Sequence, residues 1–194
     1  HLVDRPHASD FYDALILAGK SGDARSLQRG YRLIERGDAP TMNDAGRIIS
    51  GQASLWLVDD EHGKREFVRS PFHLRASAQV IVLASTGCHF AKLAARDIDA
   101  DPTLREVFRE SAQWVAPANE LTQFDAIRTW NQHYPSNRLG VIRDNTELSM
   151  VKRIETPTFY FLDHGRFVDT VVGWPDGGNL DAIRHGLRTI KLLP

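Results

Sequence analysis

Cys88 is the one cysteine among 194 residues, so any thiol chemistry in this chain rests on it. A single thiol closes no disulfide within the chain and excludes a multi-cysteine zinc site. Around it the sequence reads Ser85-Thr86-Gly87-Cys88-His89-Phe90-Ala91. The run before it, residues 79–84, is too apolar for a one-sided sheet and reads as a central strand covered on both faces. Ser85-Thr86-Gly87 then turns the chain and delivers Cys88 to the first turn of a helix. Unpaired backbone N–H groups and the helix dipole there favour a thiolate. A protonated His89 would add to that effect, while a solvent-facing His89 would not. An inert, buried cysteine is the competing reading of Cys88.

A second site of interest lies far along the chain, at Glu155-Thr156-Pro157-Thr158. It puts a proline directly before what should be a central strand. Proline donates nothing to a strand ladder, so Pro157 calls for a cis bond or an exposed backbone edge. A purely geometric role in the sheet is the competing reading. Eight histidines are present, none in a His-x-x-x-His pair. His62, His133, His164 and His185 fall in turns or on helix faces, so no metal site and no cofactor is expected. Trp174 either lines a groove or packs over a sheet edge, and the charged run at 96–101 reads as a solvated helix end.

These positions need elements to hold them. Residues 10–17 read as a helix with Phe11, Leu15 and Ala18 on its inner face. Asp23 is expected to cap a second helix carrying Leu27, Tyr31 and Ile34, with Gly37 as its stop. A third short helix is expected over 42–52. From residue 55 the texture changes. Residues 55–58 and 65–68 read as a hairpin around the Asp-rich turn with Gly63. After the strand at 79–84 comes a helix over 88–98 with Phe90, Leu93 and Ala94 turned inward. Helices over 103–111 and 121–134 flank a strand at 114–115, and another strand follows at 139–142. Residues 158–162 and 167–172 form a strong hairpin signal, with Gly165 in the turn. A last helix follows, with Leu180, Ile183, Leu187 and Ile190 facing inward.

Composition narrows the function classes. With 42% hydrophobic and 25% charged residues, the chain can fill a core, which rules out disordered or collagen-like classes. A formal net charge of −1 with no basic block argues against nucleic acid as the main partner. Apolar runs are strand-sized, far short of the roughly 18–20 residues that span a bilayer. The chain opens His1-Leu2-Val3 without methionine, which reads as a trimmed or mature form, with no signal peptide visible.

From about residue 55 to 193 the sequence resembles the thioredoxin superfamily, most closely its TlpA/DsbE-like (ResA-like) branch of thiol–disulfide oxidoreductases. The resemblance rests on 80–84 leading into Ser85-Thr86-Gly87-Cys88-His89-Phe90-Ala91, and on 151–158 leading into 159–173. It implies an α/β fold: a thioredoxin-like mixed β-sheet flanked by helices, with an N-terminal helical extension. The implied domains are 1–53, a helical segment without a counterpart, and 54–194, the thioredoxin-like domain. By the same resemblance Cys88 matches the attacking cysteine and is the catalytic candidate, with His89 and Phe90 as the intervening pair. Pro157 matches the family's cis-proline, and Thr156 the residue whose backbone pairs with a bound peptide. The partner implied is a cysteine-bearing protein or extended peptide, and the compartment periplasmic or secreted.

The departure is Ala91, which stands where the resolving cysteine should be. A lone thiol forms a mixed disulfide but cannot release a protein by internal attack, so dithiol chemistry is excluded. Three readings stand: Ala91 replaces a cysteine and traps partners, the protein is a monothiol resolved by an external thiol reductant, or the fold is kept for binding alone. The last makes the protein a redox-inactive module that holds an extended peptide or partner at the cis-proline edge. A peroxidatic reading is a half-match: Ser85 sits three residues before the thiol, but Ile81 stands where that pattern needs proline. The surrounding charges do not form a glutathione- or cluster-binding pattern.

Overall fold

The computed structural model describes residues 5–33, 37–44, 52–59, 64–72, 74–148, 151 and 154–194. Two helices open the chain, α1 (Arg5–Leu17) and α2 (Ser21–Tyr31). A short strand β1 (Thr41–Asn43) and the hairpin β2 (Ser54–Asp59) and β3 (Glu66–Pro71) follow. Next come β4 (Gln79–Leu83), α3 (His89–Ala100), α4 (Pro102–Ser111) and β5 (Ala112–Ala116). A 3-10 turn at Ala118–Thr122 leads into α5 (Phe124–His133) and β6 (Leu139–Ile142). The hairpin β7 (Thr158–Asp163) and β8 (Arg166–Val172) and the helix α6 (Leu180–Thr189) close the fold.

Among the described residues these strands make one sheet of eight, in the order β1-β3-β2-β6-β5-β4-β7-β8. β4, β5 and β6 run parallel, and β7 and β8 continue the sheet antiparallel. This mixed sheet, with its cysteine helix leaving the parallel strand that adjoins an antiparallel hairpin, is thioredoxin-like. The expected central strand is β4. Val80 and Val82 face one core, Ile81 and Leu83 the other, and all four are fully buried. Because the chain steps from β4 to β5 to β6 in one direction, right-handed crossovers put α3, α4 and α5 on the same face. The larger core lies there, where Phe159 packs against Phe108, Trp114 and Trp174. Phe72, Leu148 and Val151, from connecting segments, complete the smaller core on the opposite face.

Several local expectations are corrected. Residues 41–43 form a strand paired parallel with β3, not the start of a third helix; residues 45–51 lie outside the described residues, as do Ile34, His62 and Gly63. Helix α2 begins at Ser21, which puts Asp23 in its first turn instead of at the cap, and it ends at Arg32 in the left-handed region (φ 52°) well before Gly37. On α1 the buried stripe is Ala8, Tyr12 and Ile16, an i, i+4, i+8 row, while Phe11 is 56% exposed. On α3 the buried row is Ala91, Ala94, Ala95 and Ile98, and Phe90 faces out. That row joins the core cluster of β4 and β5, and the helical period sets Phe90 outside it.

The charged run at 96–101 is structural. Asp101 accepts from the backbone N–H groups of Thr103 and Leu104 at 3.0 Å, capping α4, and pairs with Arg184 at 2.5 Å. Asp97 accepts from the indole N–H of buried Trp174 at 3.0 Å, so Trp174 is a packing residue.

Candidate functional site

The site forms where β4 ends. Hydrogen bonding of Ala84 N–H to Val115 O at 2.9 Å carries the β4–β5 pairing to the edge of the sheet, and the chain then turns through Thr86-Gly87. Cys88 N–H donates to Ser85 O at 3.1 Å, closing that turn, and Cys88 O accepts from Lys92 N–H as α3 begins. Cys88 thus occupies the N-cap of α3 with extended backbone (φ −82°, ψ 116°). Its side chain is half-buried and free of any disulfide.

The antiparallel register of β4 and β7 pairs Leu83 with Thr158, which brings residues 156–157 beside residue 88 although 68 positions separate them. The Cys88 thiol donates to the backbone carbonyl of Thr156 at 3.1 Å. The Thr156–Pro157 bond is cis. Pro157 is buried, and its carbonyl accepts from Gly173 N–H at 2.8 Å, which ties the segment to the far end of β8. The Thr158 hydroxyl donates to Glu155 O at 2.6 Å. The structure therefore brings Cys88, Thr156 and Pro157 together, as the sequence pairing of the two motifs requires.

Around this pair the remaining motif residues divide. Ala91 is fully buried one turn into α3, beneath Cys88. His89 is exposed and meets the ring of Phe90 edge-on at 5.6 Å. Phe90 on α3 (44% exposed) and Ile154 ahead of the cis bond (55%) are exposed apolar side chains. Among the described residues no group of three or more His, Cys, Asp or Glu could hold a metal ion.

One residue of the site was invisible to sequence reasoning. Glu120, 6% exposed, accepts from the Ser85 hydroxyl at 2.5 Å and from the Thr86 hydroxyl at 2.5 Å. Thr86 N–H reaches the same carboxylate at 3.4 Å. The Ser85 hydroxyl also accepts from Gly87 N–H at 3.3 Å. A buried carboxylate thus organises the turn that presents Cys88. Its only signal is topological: parallel strands β4 and β5 end side by side, so the loops that leave them are neighbours.

No protein-family model matches this chain, and no curated protein matches it. Solved structures similar to it include the exposed lipoprotein thioredoxin of Streptococcus pneumoniae, at 20% identity over 73% of this chain and 99% of that one, with a TM-score of 0.47. StoA from Bacillus subtilis matches at 12% identity over 68% and 95%, with a TM-score of 0.42. A secreted Mycobacterium tuberculosis disulfide oxidoreductase homologous to E. coli DsbE matches at 14% identity over 61% and 88%, with a TM-score of 0.44.

Proposed function

We propose that this protein contacts cysteine-bearing proteins through Cys88 by thiol–disulfide exchange, as a monothiol whose adduct an external thiol resolves. The observation that carries this reading is the 3.1 Å contact between the Cys88 thiol and the carbonyl of Thr156. It sets the sulfur, at a helix N-terminus, against a backbone edge on which an extended peptide can lie. In the exchange, the Cys88 thiolate attacks one sulfur of a partner's disulfide. A new S–S bond forms, the old one breaks, and the other sulfur leaves as a thiolate, so no net oxidant is consumed. Ala91 supplies no second thiol, so the adduct persists until an outside thiolate attacks it.

The test is mass spectrometry of the folded protein incubated with a peptide whose cysteine is held in a mixed disulfide. A stable one-to-one adduct at Cys88 is expected, released by added glutathione. Ala91→Cys should release the peptide without glutathione and leave an 88–91 disulfide. Absence of any adduct until the protein is unfolded would overturn the reading.

The exposed apolar side chains of Phe90 and Ile154 favour a second reading, a module that holds an extended peptide at the Thr156-Pro157 edge without chemistry. In that case a serine-for-cysteine peptide would bind as tightly as its parent, and Cys88→Ser would leave binding unchanged.

A further inference from the structure

Helix α1 packs against the 3-10 turn at Ala118–Thr122, and its Ala8, Tyr12 and Ile16 are buried in the same core as β4 and β5. That packing leaves an open cavity of about 370 Å³ beside the cysteine turn. Its walls come from both parts of the chain: Asp13 and Leu17 from α1, Thr86 and Gly87 immediately before Cys88, and Glu120 and Gln123 from the loop after β5. Gly87, the residue next to the thiol, is exposed, and Leu17 is 46% exposed. Two of the lining residues, Thr86 and Gly87, directly precede Cys88 in the chain, so a residue flanking a cysteine bonded to Cys88 lies within a few residues' reach of the cavity.

We infer that this cavity is a specificity pocket for the residue flanking the partner's cysteine, and that it takes a basic side chain, lysine or arginine. The inference rests on the thiol-exchange reading above and adds the class of substrate. Size and charge carry it. The volume accommodates one long side chain, and among the described residues both ionisable groups that line it, Asp13 and Glu120, are carboxylates. The remaining lining offers hydroxyl and amide acceptors from Thr86 and Gln123, which suit an ammonium or guanidinium group carrying only donors. Leu17 supplies an apolar wall for the methylene stem. The chain's formal net charge of −1 is too small for the global field to impose such a preference, so a charge preference reports groups near Cys88, and variants of Asp13 and Leu17 assign it to this pocket. On this reading α1 has a role of its own, because the N-terminal helix completes a binding wall that the cysteine domain lacks.

Three peptides that differ only in the residue beside cysteine (lysine, alanine or glutamate), each activated as a mixed disulfide with thionitrobenzoate, test the pocket by the rate of chromophore release. The lysine peptide is expected to react about three- to fivefold faster than the glutamate peptide, the scale of one partly screened ion pair. In Asp13→Asn, and in Leu17→Trp, which fills the space, the lysine-to-glutamate ratio should fall to about one. Serine-for-cysteine versions of the peptides, followed by fluorescence anisotropy, read the pocket without the thiol. Equal rates for lysine and glutamate peptides in the parent protein, or a ratio that survives Leu17→Trp, overturns the pocket while leaving thiol exchange intact. A charge preference in the serine peptides without reaction at Cys88 overturns thiol exchange and leaves the pocket standing.

Discussion

At the scale of single residues, the site turns on a carboxylate that holds the cysteine turn in place. Glu120 takes hydrogen bonds from two hydroxyls of the turn before Cys88, and the same turn is closed by Cys88 N–H on Ser85 O. Removing Glu120 leaves the buried Thr86 hydroxyl without this acceptor, at a cost of about 1–3 kcal/mol. Glu120→Ala should therefore lower stability by that amount in urea titration, and should also slow mixed-disulfide formation at Cys88. Glu120→Gln keeps an acceptor oxygen and should recover most of both. If Glu120→Ala destabilises the fold without slowing the adduct, Glu120 serves the turn and not the thiol. Cys88 and Pro157 stand out in the sequence because each is an unusual residue at an element boundary, and Thr156 is marked only by the family resemblance. Glu120 does not stand out, because a glutamate in a loop is ordinary until the strand order sets that loop beside the thiol.

At the scale of elements, close packing decides where helices lie and overrides intrinsic preference. Gly186 on α6 is buried, and a Cβ there would come within 2.5–2.7 Å of the Phe161 ring. Alanine gains about 1 kcal/mol of helix propensity over glycine, but overpacking costs typically about 1–3 kcal/mol. Gly186→Ala should be net destabilising in urea titration, and an increase in stability would mean that α6 shifts freely on the sheet. Electrostatics fix the junction of α3 and α4. The backbone N–H of Leu104 foremost, then the Arg184 side chain, hold the Asp101 carboxyl below its ordinary value of 3.8 against the opposing effect of burial. A depressed carboxylate contributes stability that is fully present above 3.8 and is lost as pH falls through the lower folded value. Asp101→Asn should be less stable than the parent near neutral pH, with the difference shrinking in acid; a pH-independent difference would assign the loss to geometry alone. The elements from 54 onward were legible because strand runs and helical periods there coincide with turn residues. The face of α1 and the strand at 41–43 were not: Phe11 and Ile16 are both apolar, and the neighbours that choose between their faces, α2 and the 3-10 turn, are set by the tertiary fold.

At the scale of the whole molecule, the issue is whether the first fifty residues fold with the rest. Sequence texture alone sets a boundary at 53, yet the contacts across it are extensive. Ala8, Tyr12 and Ile16 are buried with the residues of β4 and β5, β1 pairs with β3, and Arg65 beside β3 donates to the backbone carbonyl of Asp38 at 2.7 Å. All four tryptophans, at 56, 114, 130 and 174, lie beyond residue 53, so their fluorescence reports only the later part. Far-UV circular dichroism reports α1 and α2 as well. We propose that the two parts unfold together, and the two signals should then give one coincident transition in urea. Ile16→Ala, which empties a fully buried site on α1, should lower that shared transition by about 2–5 kcal/mol as read by the distant tryptophans. An early loss of helical signal with the tryptophan transition unmoved would instead make residues 1–53 an independent appendage. The pocket beside Cys88 would then lose the rigid wall that its selectivity requires.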